Sequence, residues 1–170
     1  PEADKRTSNW LGSSQKNRAE NLMITDMVRN DLGRIAETGS VDVSGLFAVE
    51  AYPTVWQMTS TVHAQTKASL VDIFRTLFPA ASITGAPKRA AMSHIAQLEK
   101  TPRGIYTGAI GYIAPNRKAQ FSIAIRTSSV DKAAGSARYG AGGGIVWDST
   151  PAQEYLEMQA KTRILGTLQE

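Results

Sequence analysis

Two carboxylates and one ammonium fall on one face of the last helix that the sequence predicts. Glu154, Glu157 and Lys161 are separated by three and four residues, so their side chains lie within about 60° of arc. The simpler interpretation is an exposed ion pair between Glu157 and Lys161. The alternative is a site for a hard divalent cation such as Mg²⁺, which binds carboxylate oxygens together with water and an anionic ligand. Glu20, on a partly buried face of an earlier predicted helix, is a candidate for a further acidic ligand.

A glycine-rich stretch precedes this helix. Gly140, Gly142, Gly143 and Gly144 lie in YGAGGGIVWDS, and such a segment lets a ligand approach the backbone and exposes N–H donors to an anion. A β-bulge or a strand crossing too close for side chains explains the same glycines. The spacing differs from the dinucleotide fingerprint, and TGAPK at 84–88 lacks the first glycine and the Lys-Ser/Thr ending of a P-loop. The sequence therefore does not predict nucleotide binding.

Arg126 interrupts the apolar alternation of FSIAIRT near the end of a predicted strand. An arginine in that position needs an anionic partner, which is either a carboxylate of the protein or a ligand carboxylate held by two parallel hydrogen bonds. Tyr106, on the preceding predicted strand, offers a hydroxyl to the same anion. A cross-strand pair on one sheet face accounts for both residues equally well. His63 and His94 have no neighbours at metal-ligand spacing, and we interpret them as ordinary strand or surface residues.

The elements that must position these residues follow from the hydrophobic periodicity. Residues 1–15 are polar and turn-rich, and 79–85 is predicted to be a loop. Three β-rich runs separated by turn signals predict an antiparallel meander. Helices and antiparallel strands in separate blocks predict an α+β fold, with helices packed on an antiparallel sheet, in a single domain covering 1–170. The predicted helices are 16–35, 69–78, one from Pro87 and one from Pro151, and the predicted strands are 54–64, 104–114, 119–130 and 136–147.

Composition excludes several classes of protein. The 170 residues contain no cysteine, which excludes a disulfide scaffold, a thiolate metal site and a cysteine nucleophile. No apolar run is long enough to span a membrane, and we expect a cytoplasmic protein without membrane contact. The net charge of +4 suits a small anionic ligand. We do not expect nucleic-acid binding, because the sequence has no clustered basic stripe and no aromatic platform.

Five ordered blocks together resemble the chorismate-binding enzymes, the family of the anthranilate, aminodeoxychorismate, isochorismate and salicylate synthases. The resemblance covers nearly the whole chain and implies the C-terminal part of their catalytic fold. Within the family, SITGAPK and GGGIV have the form usual in component I of the aminodeoxychorismate synthases. The blocks are AENLMITDMVRNDLGRI at 19–35, SITGAPKRAAM at 82–92, RGIYTGAIGYI at 103–113, IAIRT at 123–127 and AGGGIVWDSTPAQEYLEMQAK at 141–161.

The resemblance implies a site for chorismate, a dianion, and Mg²⁺. Glu20 and Glu157, with Glu154 beside them, match the family's metal ligands, and the ion would bind the ring carboxylate. Arg126 and Tyr106 match the residues that hold the enolpyruvyl carboxylate. The remaining matches to substrate-binding positions are Thr84, Gly142, Gly143, Gly144 and Lys161.

The resemblance also implies a reaction and a partner. The expected activity is amination of chorismate to 4-amino-4-deoxychorismate, a step towards para-aminobenzoate and folate, with ammonia from a glutamine amidotransferase subunit. In these enzymes a lysine of an upstream PIKGT-type segment attacks the ring, and that motif does not occur in the 170 residues. We therefore expect the C-terminal portion of a longer catalytic protein, with no turnover by this chain alone. Anthranilate synthase component I is the alternative, and a non-catalytic anion-binding or interaction module is a more remote one.

Overall fold

The computed structural model describes residues 2–53, 55–147 and 149–168. The chain divides into two compact units, Pro1–Ala91 and Met92–Glu170, called here the N-terminal and C-terminal units. Each unit has its own helices and its own antiparallel strands.

The N-terminal unit consists of helices around a two-stranded ribbon. Ser14 caps α2 by accepting a hydrogen bond from the Asn17 N–H, and Ser69 caps α3 by accepting one from the Asp72 N–H, which satisfies N–H groups that have no partner inside the helix. Helix α5 begins before the boundary between the units and ends after it. The elements are α1 (Glu2–Ser13), α2 (Gln15–Gly33), β1 (Asp42–Ala51), β2 (Trp56–His63), α3 (Leu70–Leu77), α4 (Ala81–Thr84) and α5 (Lys88–Leu98).

Strands β1 and β2 pair antiparallel, from Asp42 opposite His63 to Ala51 opposite Trp56. The register shifts between Ser44 and Ala48, where Gly45 has φ +59°, a conformation that glycine adopts at little cost. Helices α1 and α2 both contact this ribbon. The ribbon therefore serves as the surface on which the helix bearing Glu20 is packed.

The C-terminal unit contains two separate hairpins followed by a helix. Strand β3 pairs with β4, and β5 pairs with β6, with no hydrogen-bonded ladder described between the two hairpins. Pro151 occupies the first turn of α6, where its missing N–H costs nothing. The elements are β3 (Ala109–Ile113), β4 (Ala119–Ile123), β5 (Ser128–Asp131), β6 (Ser136–Tyr139), α6 (Pro151–Thr162) and a 3-10 helix (Arg163–Leu168).

The predicted α+β class is confirmed, as are the long helix now seen as α2, the capped helix α3 and the helices that follow Pro87 and Pro151. The predicted three-strand meander is wrong. The run 119–130 is divided between β4 and β5, because the chain turns at Arg126, which has φ +50°. The run 136–147 is extended and paired only as far as Tyr139.

Two further predictions are also wrong, and one strand was missed. The polar stretch 1–15 contains helix α1, the predicted loop 79–85 contains the single turn α4, and β1 is a ten-residue strand that the sequence analysis did not assign. Both helices are difficult to detect from apolar periodicity, because α1 is polar overall and α4 is only four residues long. The bulge in β1 breaks the alternation from which a strand is recognised.

Little apolar side-chain surface is fully buried. Among the described residues, only Ala81 and Ala124 are buried hydrophobic residues, whereas Leu98, Ile145 and Trp147 are mostly exposed. No described helix combines the length and the apolar character needed to cross a bilayer.

Candidate functional site

Glu154 is the most enclosed of the predicted metal-binding acids. It lies in the first turn of α6 with 9% of its surface exposed. Ser149 Oγ donates a hydrogen bond to Glu154 Oε1 at 2.7 Å and accepts one from the Val146 N–H at 3.0 Å. A Cβ added at Gly143 would lie 3.1 Å from Glu154 Oε2. The second carboxylate oxygen therefore lies against the glycine-rich segment, where a side chain would crowd it.

Lys161 connects α6 to the same segment. Its Nζ donates to Glu157 Oε1 at 2.8 Å and to the Gly142 carbonyl oxygen at 2.9 Å. The Tyr139 hydroxyl donates to the Lys161 carbonyl oxygen at 3.2 Å. The predicted pairing of Glu157 with Lys161 is thus confirmed, and the contact with Gly142 extends it beyond a simple surface ion pair.

Tyr106 explains two of the glycines. A Cβ at Gly140 would collide with the Tyr106 ring, and a Cβ at Gly142 would lie 3.0 Å from its hydroxyl. Close approach of a side chain to the backbone therefore accounts for glycine at both positions. Tyr106 was predicted to lie on a strand, and this prediction is wrong, because β3 begins only at Ala109.

Arg126 lies between β4 and β5 rather than within a strand. It is exposed, and it makes no ion pair or side-chain hydrogen bond with the residues that the structure describes. A cross-strand pair between Arg126 and Tyr106 is therefore wrong as an explanation of the two residues. The backbone nevertheless joins their segments, since the Thr107 N–H donates to the Ala124 carbonyl at 2.9 Å and the Ala124 N–H donates to the Gly108 carbonyl at 2.8 Å.

Arg103 is a residue whose role the sequence analysis missed. Its Nε and one terminal nitrogen donate to the two oxygens of Glu99 at 2.8 and 2.7 Å, and its guanidinium lies 5.9 Å from the centroid of the Tyr106 ring. The hydrogen bond from Arg103 lowers the pKa of Glu99 and the same bond raises that of Arg103, so the pair stays charged near neutral pH. The i,i+4 spacing of Glu99 and Arg103 was available as a signal for the pair.

Two cavities adjoin these residues, both within the C-terminal unit. One has a volume of about 370 Å³ and contacts Gly143, Ser149 and Glu154. The other has a volume of about 650 Å³, within the range of small-molecule sites. Tyr106, Thr127 and Gly140 line it, together with the cations of Lys100, Arg103 and Arg138.

Glu20 and Thr84 belong to the N-terminal unit. Glu20 has 37% of its side chain exposed, and its carboxylate lies 3.9 Å from Lys16 Nζ. The Thr84 hydroxyl donates within its own turn, to the carbonyl oxygens of Ala80 and Ala81 at 3.2 and 3.4 Å. The Lys88 side chain of TGAPK is paired with Asp31, so this lysine has a partner inside the protein.

Asn21, next to Glu20, holds α2 on the ribbon. Ser60 Oγ donates to its Oδ1 at 2.5 Å, and its Nδ2 donates to the Met58 carbonyl at 3.4 Å. The Thr25 hydroxyl, on the buried side of α2, donates to the Asn21 carbonyl at 2.7 Å. The AEN block therefore contains one residue that fixes the helix beside the predicted metal ligand.

The donor set on α6 suits a hard cation. No cluster of three or more His, Cys, Asp or Glu side chains that could hold a metal occurs in the described part of the chain. Mg²⁺ needs only one or two carboxylates from a protein, because water and anionic substrates complete its shell. Glu154 and Glu157, three residues apart on α6, carry oxygen donors of the kind that such an ion prefers.

Comparison with known proteins identifies the family to which this chain belongs. A sequence model described as chorismate binding enzyme matches residues 1–166. The chain therefore belongs to the chorismate-binding enzyme family, and the predicted resemblance is confirmed.

The relatives of this chain include aminodeoxychorismate and anthranilate synthases. It is 46% identical over 172 residues to the aminodeoxychorismate synthase component 1 of Salmonella typhimurium, covering 99% of this chain and 37% of that protein. It is 41% identical to the anthranilate synthase component 1 of Streptomyces coelicolor, covering 98% of this chain and 33% of that protein. The crystal structure of anthranilate synthase component I from Streptococcus pneumoniae superimposes with a TM-score of 0.82 at 37% identity, covering 95% of this chain and 37% of that one. The chain thus spans less than two fifths of the length of each.

Proposed function

We propose that this chain forms the C-terminal portion of the catalytic domain of an aminodeoxychorismate synthase component I, which aminates chorismate to 4-amino-4-deoxychorismate. The observation that carries the proposal is the 46% identity to a protein of that name over 99% of the chain. The 41% identity to an anthranilate synthase component keeps anthranilate formation as the second candidate. The largely exposed apolar side chains, Leu98 and Trp147 among them, support a portion that further protein covers.

The C-terminal unit supplies groups of both signs for a dianionic substrate. Glu157 and Glu154 would hold Mg²⁺, which when bound neutralises the ring carboxylate of chorismate. Arg126 has no ion-pair partner among the described residues, so its guanidinium is available to the enolpyruvyl carboxylate together with the Tyr106 hydroxyl. The Arg103 guanidinium lies over the Tyr106 ring, 5.9 Å from its centroid.

The remaining proposed contacts hold the substrate in place. Gly142, Gly143 and Gly144 offer backbone N–H groups, and Lys161 adds positive charge beside them. Fixing both carboxylates orients the ring for loss of its hydroxyl. The attacking lysine is assigned to a segment outside these 170 residues. Ammonia from a glutamine amidotransferase subunit and a cytoplasmic location belong to the same proposal.

Chorismate binding tests the assignment directly. We expect the chain to bind chorismate in a Mg²⁺-dependent manner in a calorimetric titration. Arg126→Ala should weaken binding by about 2–4 kcal/mol if the guanidinium holds a desolvated carboxylate. Arg89→Ala, which removes an exposed arginine from α5, is the matched control and should bind as the parent does. Equal affinity of the two variants would show that Arg126 does not contact the substrate.

Product analysis separates the two candidate reactions. The full-length protein, given chorismate, Mg²⁺ and ammonia, should form 4-amino-4-deoxychorismate, and accumulation of anthranilate would overturn the assignment. The 170-residue chain should give no turnover under the same conditions, because the nucleophilic lysine is absent from it. Measurable product from this chain would show that the reaction does not need that lysine.

A further inference from the structure

The Lys161 ammonium occupies a position between two oxygen ligands. Its Nζ lies 2.8 Å from Glu157 Oε1 and 2.9 Å from the Gly142 carbonyl oxygen. A carboxylate and a backbone carbonyl are both donors that hard divalent cations prefer. The ammonium therefore satisfies the same kind of oxygen pair that a metal ion would use.

Contacts hold both the backbone and the side chain of Lys161 in place. The hydrogen bond from the Tyr139 hydroxyl reaches the Lys161 backbone at 3.2 Å, and the Lys161 side chain is only 28% exposed, whereas that of Glu157 is 52% exposed. Lys16 and Glu20 differ in this respect, since their charged atoms are 3.9 Å apart and both side chains are more than a third exposed. Solvent screens the contact of Lys161 less than it screens that of Lys16.

We propose that Lys161 is an internal counter-ion of Glu157 that competes with the divalent cation. A dication on the Glu157 carboxylate would lie a few ångströms from the ammonium, and like charges at that separation repel each other. Metal binding therefore requires Lys161 to leave Glu157. Without substrate, the site then binds the metal more weakly than the same carboxylates would bind it if Lys161 were absent. The inference rests on the proposed function, because it takes Glu157 as a metal ligand.

The anionic substrate would replace Glu157 as the partner of Lys161. A carboxylate bound beside Gly142 would offer the ammonium a new partner at the moment when Glu157 is required by the metal. Metal and anion would then bind with positive coupling, and linkage makes that coupling equal in both directions. Lys161 is thus a positioning residue that links the two binding events.

Metal titration without substrate tests the competition. Free Mn²⁺ would be followed by electron paramagnetic resonance as it is added to the 170-residue chain and to variants of Lys161. We expect Lys161→Met to bind Mn²⁺ about fivefold more tightly, the scale set by a partly exposed ion pair. Lys161→Gln gives a second neutral variant, and Lys161→Arg, which keeps the charge, should stay within about twofold of the parent. Circular dichroism would show that each variant is folded.

Two further variants distinguish the inference from the metal assignment. Lys67→Met removes the cation of an ion pair with Glu37 and controls for the change in net charge; it should leave Mn²⁺ affinity unchanged. Glu157→Gln should abolish the gain of Lys161→Met in the double variant. If Glu157→Gln lowers affinity while both neutral Lys161 variants bind as the parent does, the competition is wrong and the metal site stands. If Glu157→Gln changes nothing in either background, both the competition and the metal assignment are wrong.

Discussion

The N-terminal unit combines local ion pairs, such as that of Arg29 with Asp26, with side-chain contacts between residues far apart in the sequence. The two ion pairs described in the C-terminal unit are both local. Ser60 reaches Asn21 across 39 residues, and Lys88 reaches Asp31 across 57. In the C-terminal unit, Arg103 pairs with Glu99 and Lys161 with Glu157, each four residues away. The longer contacts of that unit meet at the glycine-rich segment, where Lys161 bonds to Gly142.

This difference extends to the acids predicted as metal ligands. Glu20 is half-exposed with its carboxylate near Lys16, and its neighbour Asn21 bonds to Ser60 and Met58 on β2. Glu154 bonds to Ser149, and Glu157 bonds to Lys161. Contacts to β2 therefore hold the helix backbone beside Glu20, and local contacts hold the carboxylates of Glu154 and Glu157. Substitutions should reduce stability most in the first unit, and they should alter ligand binding most in the second.

The largest expected effect on stability is that of Lys88→Met in the N-terminal unit. Lys88 and Asp31 are 18% and 15% exposed, so removing the ammonium leaves a mostly buried carboxylate without its partner. We expect a loss of about 2 kcal/mol in the free energy of unfolding, measured by urea denaturation. Arg89→Met, at the exposed neighbouring position, should change stability by less than about 0.5 kcal/mol. Similar losses in both variants would show that the long-range pair does not hold this unit.

Asn21→Ala should come next, at about 1–2 kcal/mol, because it removes the acceptor of Ser60 and the donor to Met58 together. Alanine is a better helix former than asparagine, which acts in the opposite direction. Asn30→Ala, at an exposed position of α2, makes the same exchange of helix propensity without these contacts. It should leave the urea midpoint unchanged or slightly raised. A midpoint for Asn21→Ala equal to that of Asn30→Ala would mean that the network is not stabilising.

Spacing predicts the helices α2, α3, α5 and α6 of this chain, although it misses α1, α4 and the pair of Glu99 with Arg103. The apolar stripes of α2 and α3 and the proline at the start of α6 are local signals, and all three elements are confirmed. The Glu157–Lys161 pair follows from the 3.6-residue period alone. Local signals of this kind do not depend on where the rest of the chain lies.

Spacing does not predict contacts that depend on tertiary placement. Nothing in the order of residues pairs Lys88 with Asp31 or brings Lys161 to a backbone carbonyl at Gly142. The glycines of 140–144 allow either a ligand or a neighbouring side chain to approach, and only the position of the Tyr106 ring explains two of them. The division of 119–130 into two strands depends on the left-handed backbone of Arg126, which arginine rarely adopts.

The buried acid of the C-terminal unit should show a smaller effect on stability. Glu154→Ala removes the acceptor of the Ser149 hydroxyl and a negative charge near the helix N-terminus, with an expected loss of about 1 kcal/mol. Glu154→Gln keeps an acceptor and should recover about half of that loss. Hydrogen exchange of the α6 amides would report the effect locally. Equal exchange in both variants would mean that the charge, and not the bond from Ser149, stabilises the helix.

The smallest effect is a pH-dependent one at the pair of Glu99 with Arg103. The hydrogen bond from Arg103 lowers the pKa of Glu99, so the folded protein holds the charged form more strongly than the unfolded chain does. The pair therefore stabilises the protein above the usual glutamate pKa, and this contribution is lost as pH falls through the lowered value. Because both side chains are partly exposed, Glu99→Gln should cost only about 0.5 kcal/mol at pH 7, measured as a urea midpoint.

Repeating the urea denaturation at acid pH tests whether the charge of this local pair stabilises the C-terminal unit. The difference between Glu99→Gln and the parent should disappear as pH falls through the lowered pKa of Glu99, because the glutamate is then protonated in both the folded and the unfolded states. Lys100→Gln, an exposed neighbour, should show no such dependence. A Glu99→Gln difference that persists at acid pH would mean that packing around Tyr106 holds this segment and that the charge of the pair does not.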